Sequence, residues 1–146
     1  MKLTHQSDYA LRLLMHLAAN DGELHTIAAI AARYGISKNH LMKVALHLSR
    51  DGVIESVRGR SGGLRLARAP REIVIGAVVR SSEGDIALVE CFQGDGGECL
   101  ITKACRLKGV LKEALEAFYG VLDQYTLDDL VGRNPKLRLL LSEDAA

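Results

Sequence analysis

Three cysteines lie within residues 91–105, as Cys91, Cys99 and Cys105, and the rest of the 146-residue chain has none. The gaps between them are seven and five residues long, and the first carries the glycine-rich run Gly94-Asp95-Gly96-Gly97. Thiolates are soft ligands that select zinc, copper(I) or iron–sulfur clusters. An odd count does not complete a disulfide framework, and three thiols are one short of a closed four-thiolate site. A metal centre in this segment therefore needs a fourth ligand from elsewhere, and the identity of that ligand bears on function.

The rest of the chain bounds what such a segment can serve. With 48% hydrophobic residues it can bury a core, and its length predicts one domain. It has no Trp, and four Tyr and two Phe are its only aromatic rings besides histidine, which argues against an aromatic-lined groove for single strands or sugars. The opening Met1-Lys2-Leu3-Thr4-His5-Gln6-Ser7-Asp8 lacks the apolar stretch of a signal peptide. No apolar run approaches the roughly 18 residues of a membrane span. The expectation is a cytoplasmic protein with no membrane partner, where thiols stay reduced and clustered cysteines favour metal or redox chemistry.

Net charge is +1, yet it is unevenly spread. Residues 1–72 hold eleven Lys/Arg against six Asp/Glu, and residues 73–146 hold eight against twelve. From Arg33 to Arg71 there are nine basic residues and two acidic ones. A basic block of this kind is the electrostatic footprint of a polyanion partner, provided the charges share a face.

Local signals predict elements that would place them so. Ser7 can cap a first helix through about Ala19, with Ala10, Leu13, Leu14, Leu17 and Ala18 as its apolar stripe. Thr26 caps a second helix, Ile27 to Tyr34, closed by Gly35. Ile36 reads as a buried plug, and Ser37 caps a third helix through about Arg50. Helix, glycine turn, helix is the helix-turn-helix order, and Ala31 is small enough for close crossing. The first turn of the third helix, Ser37, Lys38, Asn39 and His40, with Lys43 one turn on, supplies donors suited to base edges and phosphates.

From Val53 the apolar period changes to two, giving a hairpin of Val53–Val57 and Leu64–Ala67. Its tip, Arg58-Gly59-Arg60-Ser61-Gly62-Gly63, is a wing: Arg58 and Arg60 suit phosphate or a narrow groove, and Gly62 and Gly63 let the backbone approach. Beyond Pro70 a short helix is predicted from Ile73 to about Ser81, ended by Ser82-Glu83-Gly84-Asp85. After the cysteine segment a long helix follows, with Leu111, Leu115, Phe118, Val121, Leu122 and Tyr125 at three-and-four spacing. Leu111, Phe118 and Tyr125 stand a heptad apart, which favours pairing with a second copy. Thr126 caps a last short helix, and the tail from Gly132 reads as peripheral and prone to fray. The fold class is mainly α, a winged helix-turn-helix over residues 1–80 with a cysteine loop and long dimerisation helix over 81–146, integrated with it. Histidines 5, 16, 25, 40 and 47 lack metal-ligand spacing and read mostly as surface or contact residues. No phosphate loop, nucleophile elbow or paired-carboxylate pattern supports an enzyme, and an electron carrier needs no wing.

Taken together, Met1-Lys2-Leu3-Thr4 leading into Tyr9-Ala10-Leu11, then Tyr34-Gly35-Ile36-Ser37, Val57-Arg58-Gly59-Arg60 with Gly62-Gly63, the three cysteines and Thr126-Leu127 form one ordered pattern. Over residues 1–131 the chain resembles the iron–sulfur-dependent winged-helix regulators typified by IscR and NsrR. The resemblance implies a homodimer on a palindromic operator, each cluster seated between one protomer's long helix and the partner's DNA-binding domain. IscR-like members place a His three residues after the third cysteine, where this chain has Lys108, a poor cluster ligand. NsrR-like members use an Asp near the start of the first helix, reaching from the other protomer, and this chain has Asp8. Asp8 equally suits the helix dipole and an i,i+4 pair with Arg12, and His5 and Glu90 stand in reserve as ligands. The seven-residue first gap is longer than is usual in these regulators.

The reading of the whole chain is a cytoplasmic repressor that senses nitric oxide through nitrosylation of an iron–sulfur cluster and then releases operator DNA. Cys91, Cys99, Cys105 and the other protomer's Asp8 would be the ligands, of a four-iron cluster in preference to a two-iron one. The alternative is the same fold sensing cluster supply or redox state.

Overall fold

The computed structural model describes residues 2–84, 86–93 and 98–142, so the Gly94–Gly97 run lies outside the described residues. The described chain is mainly helical. It opens with α1 (His5–Ala19), whose Leu13, Leu14 and Leu17 are fully buried. Among the described residues, five elements pack directly on this helix, namely α3 (Lys38–Arg50), the second wing strand, α4 (Ile75–Glu83), α6 (Leu127–Val131) and α7 (Pro135–Leu141), while α2 (Ile27–Tyr34) packs mainly on α3.

The helix-turn-helix follows its local signals closely. Thr26 Oγ1 accepts from Ala29 N at 3.1 Å, Gly35 closes α2 with φ 62°, and the Ser37 hydroxyl accepts from His40 N at the start of α3. Ile36, buried between the two, donates its N–H to Ala31 O at 2.9 Å and plugs the turn. Ile30, Leu41, Val44 and Leu48 complete the core with the α1 leucines. The wing pairs β1 (Ile54–Val57) with β2 (Gly63–Leu66) antiparallel, Ile54 opposite Leu66 and Val57 opposite Gly63. Its base is anchored by a further bridge, since His25 and Leu64 exchange N–H···O bonds of 3.2 and 2.8 Å.

Several expectations are corrected by tertiary contacts. Thr4, not Ser7, caps α1: the Thr4 hydroxyl accepts from Ser7 N at 3.3 Å and Ser7 is buried in the first turn. What selects Thr4 is Glu83 at the end of α4, whose Oε1 accepts from the Thr4 N–H at 2.8 Å and from its hydroxyl at 2.9 Å. The helix predicted at Ile73–Ser81 starts two residues later, because Ile73 and Val74 pair in extended form with the chain at Thr126 (Ile75 N to Tyr125 O 2.9 Å, Leu127 N to Ile73 O 2.9 Å). That pairing also removes Tyr125 from the heptad stripe, since α5 (Arg106–Leu122) ends before it. The tail does not hang free over its described part. Asn134 caps α7, Leu141 is buried, and the Leu140 and Leu141 carbonyls accept from Arg33 and Asn20. His16 and His25 are not surface residues: both are buried, with His16 Nε2 and His25 Nδ1 3.4 Å apart between α1 and the wing base.

The Glu83 contact has a pH consequence. Burial pushes its carboxyl upward, but hydrogen bonds from Ser7 and from the Thr4 N–H and hydroxyl outweigh that and hold it below its ordinary value. A carboxyl depressed on folding contributes stability above its unfolded pKa and loses it as pH falls through the folded value. Glu83→Gln is therefore expected to lower stability at pH 7 by about 0.5–1 kcal/mol, a figure already reduced for solvent screening. Urea unfolding should show the deficit vanishing at acid pH, once both proteins carry a neutral side chain there.

Candidate nucleic-acid interface and thiol site

The N-termini of α2 and α3 and the wing meet at a small cleft of about 250 Å³, lined by Thr26, Ala28, Lys38, Ser56 and Gly63 among others. Two helix N-termini bring unsatisfied N–H groups and positive dipole ends to this edge, where anions are favoured. Around it Ser37, Lys38, Asn39 and Lys43 are exposed, as are Arg58 and Arg60 at the wing tip. Among the described residues, Lys38, Lys43, Arg58 and Arg60 have no carboxylate partner, whereas Arg65 one strand away is bonded to Glu55. Four cations without a carboxylate partner among the described residues thus stand on the N-terminal half of α3 and at the wing tip, while Arg65 on the second wing strand is neutralised.

His40 differs from its neighbours. It is half-buried, with its ring edge-on to Tyr9 at 4.9 Å between centroids. Gly62 and Gly63 are held by close approach: a Cβ on Gly62 would stand 2.3 Å from Val57 O, and one on Gly63 2.9 Å from the His25 backbone. Only glycine lets the wing strand lie this near His25. Two further residues, which the sequence did not single out, are Met42 and Leu46, 47% and 52% exposed on α3. Their signal is present in the helical register, for the buried face is Leu41, Val44, Ala45 and Leu48, and Met42 and Leu46 fall off it. Exposed apolar side chains on such a helix suit thymine methyl groups.

The three thiols are free, Cys99 exposed and the other two half-buried. Cys91 lies in a short 3-10 turn, Glu90–Phe92, and Cys105 is the N-cap of α5. The Glu98 N–H donates to Glu90 Oε1 at 3.0 Å, so the chain neighbours of Cys91 and Cys99 meet. After Cys99 a turn forms, with Thr102 N–H and hydroxyl both donating to Cys99 O. Cys91 lines a groove of about 1220 Å³ between α4 and α5 together with Phe92, Lys108, Lys112, Leu115 and Tyr119. Cys105 spends no side-chain hydrogen bond on capping, which leaves its sulfur available at the positive end of a 17-residue helix.

Within the single chain these groups are not gathered: among the described residues no three His, Cys, Asp or Glu side chains converge on one ion. Asp8 stands in the first turn of α1 with its side chain 41% exposed, paired with Arg12 at 2.9 and 3.0 Å. Glu90 already has one oxygen committed to Glu98, and His5 packs its ring near Tyr9. As donors, three free thiols within one segment, with Cys105 at a helix N-terminus, fit an iron–sulfur cluster, with one position left for a ligand from outside the segment.

None of the 17 residues of α5 is buried. Phe118, Tyr119 and Leu122 rest against the core, while Leu107, Val110 and Val121 are more than half exposed. No described helix is long and apolar enough to cross a membrane.

The chain is similar along almost its whole length to known regulators. It is 54% identical over 144 residues to the HTH-type transcriptional regulator NsrR of Geobacillus kaustophilus, covering 98% of each chain. With the protein of the same name from Bacillus subtilis it shares 51% over 142 residues, 97% of each. Among solved structures, the T. potens IscR superposes with a TM-score of 0.74 at 27% identity, over 93% of this chain and 90% of that one. The oxidized form of Staphylococcus aureus CymR gives 0.73 at 28%, over 90% and 96%. Residues 3–133 match the Rrf2 family, described as an iron-dependent transcriptional regulator. With the winged helix and its free cations lying inside that same span, the chain belongs to the Rrf2 family of transcriptional regulators, DNA-binding proteins and not enzymes.

Proposed function

We propose that this regulator is a homodimeric repressor that holds an iron–sulfur cluster, senses nitric oxide through it, and releases a palindromic operator in response. The observation that carries the reading is the donor set: three free thiols within residues 91–105, a lysine at position 108, and an accessible carboxylate at Asp8. Its relatives named NsrR support the same assignment.

In this reading Cys91, Cys99 and Cys105 hold a cluster, four-iron in preference to two-iron, and Asp8 of the other protomer supplies the fourth ligand. The apolar stripe of α5 pairs with its copy, because Leu107, Val110 and Val121 stay more than half exposed among the described residues. When bound, the cluster supplies iron open to attack by nitric oxide. Asp8 is the weakest hold on it, an oxygen donor among sulfurs. Arg12 stands ready to take the carboxylate back at 2.9 Å, so release leaves no uncompensated charge on α1. On DNA, Ser37, Lys38, Asn39, His40 and Lys43 face base edges and nearby phosphates, Arg58 and Arg60 neutralise phosphates, and Gly62 and Gly63 keep the wing backbone close.

Stepwise nitric oxide added to anaerobic protein is expected to consume the cluster's visible absorption and abolish operator binding in parallel. Asp8→Ala should keep a cluster on three thiolates yet bind the operator at least about tenfold less tightly before any nitric oxide, equivalent to about 1.4 kcal/mol of coupling. Operator binding that survives full nitrosylation would replace this reading with a sensor of cluster supply or redox state.

A further inference from the structure

Three aromatic rings join the first turn of α1 to the first turn of α3. The Tyr9 ring lies 4.9 Å from the His40 ring at 70°, and 5.4 Å from the His5 ring at 33°. His5 and His40 are themselves 6.3 Å apart and nearly perpendicular. Tyr9 is the residue after Asp8, and His40 is the residue whose N–H the Ser37 cap holds. The two ends of this contact therefore belong to different parts of the protein's work, one beside the carboxylate on α1 and one within the turn that meets bases.

The first turn of α1 is fixed on its other side. Glu83 grips Thr4 from α4, the helix that leads to the cysteine segment. Further along, the Tyr34 hydroxyl donates to Arg12 O at 3.4 Å, which ties α1 to α2 and not to α3. A change of position at Asp8 is thus restrained toward α4 and α2. Toward α3, whose buried face shares the core with the α1 leucines, the start of α1 adds one half-buried ring, Tyr9, packed edge-on against His40 at the N-terminal turn. Edge-to-face aromatic contacts have a preferred geometry, so the two rings move together more readily than they slide.

We infer that Tyr9 is a positioning residue, which sets the orientation of His40 and with it the Ser37–Lys43 turn according to whether Asp8 is engaged outside its own protomer. The inference rests on the proposed ligation by Asp8. Tyr9 touches neither the thiols nor, in this role, the DNA. Its effect is a coupling free energy between two sites, and it is read as a ratio of affinities.

The test compares operator affinity of cluster-loaded and cluster-free protein, anaerobically and at one salt concentration, for wild type, Tyr9→Phe, Tyr9→Leu and His40→Ala. Wild type is expected to show a ratio of at least about tenfold, the scale of ordinary allosteric coupling. Tyr9→Phe keeps the ring and should keep the ratio. Tyr9→Leu should retain the cluster's absorption while its ratio falls to within about threefold of unity, below the range typical of coupled sites. His40→Ala should lower the ratio similarly, and the double variant Tyr9→Leu/His40→Ala should lower it no further. In cluster-free protein, the His40 ring proton resonances should lose their ring-current displacement in Tyr9→Leu and keep it in Tyr9→Phe, which checks the ring contact itself, while the loaded-to-free affinity ratio is the readout that a merely structural role for Tyr9 would leave unchanged. A wild-type ratio near one overturns the ligation reading underneath. A large wild-type ratio that persists in Tyr9→Leu, or in His40→Ala if the leucine variant fails to fold, overturns the coupling role alone.

Discussion

Cys91→Ser, Cys99→Ser and Cys105→Ser are each expected to leave anaerobically produced protein colourless, without iron or acid-labile sulfide, and with operator affinity at least about tenfold below wild type, or about 1.4 kcal/mol. A serine hydroxyl is a hard, protonated oxygen at neutral pH and does not substitute for a thiolate on a soft metal. None of the three thiols is buried in the core, so the substitutions remove little packing. Cys105→Ser is the most informative of the three. Cys105 is the N-cap of α5 in extended geometry, φ −80° and ψ 108°, and caps nothing with its side chain. Serine is among the preferred N-caps, worth about 0.5–2 kcal/mol over residues that cannot cap. Loss of colour together with unchanged or raised thermal stability in this variant would separate lost ligation from lost folding. Colourless wild-type protein carrying stoichiometric zinc would sink the cluster assignment.

The double variant Arg58→Ala/Arg60→Ala is expected to weaken binding to many DNA sequences alike and to flatten the salt dependence. Each phosphate left without its arginine takes about 0.9 from the slope of log affinity against log salt, so the pair should take about 1.8. Both arginines are exposed at the wing tip and have no carboxylate partner among the described residues. Arg65→Ala provides the contrast, because its guanidinium is already bonded to Glu55 and should contribute much less to the slope. Changes at Lys38 or Asn39 should alter preference at particular base pairs, by about 1–3 kcal/mol for each bidentate hydrogen-bonded pair removed. Unchanged affinity and unchanged salt slope in the wing variant would show that the wing does not lie on phosphates.

How far the chain could be read in advance follows from the range of the forces involved. The helix-turn-helix was legible because its signals are local. A hydroxyl at Thr26 or Ser37 caps the helix that begins with the next residue, Gly35 takes the left-handed conformation that ends α2, and the wing announces itself by alternation broken at a glycine-rich tip. The types of residue able to hold a metal, and the block of basic charge, were equally plain from spacing alone.

What the sequence left undecided involves partners far away in the chain. Thr4 and Ser7 are both good caps, and the choice between them was made by Glu83, some 79 residues distant. The heptad that included Tyr125 was cut when residues 125–127 paired with 73–75. The tail became α7 because Arg33 and Asn20 supply donors for its last carbonyls. His16 and His25, nine residues apart with no motif between them, were brought into contact by the packing of the wing base on α1. The contact between Tyr9 and His40 has no trace in periodicity either, since each residue reads as an ordinary helix position. Local hydrogen bonding and side-chain period thus determined the elements of this protein and the chemistry its residues could do. Which of those residues meet was decided by tertiary packing, where the gain comes from groups that the chain brings together only once it has folded.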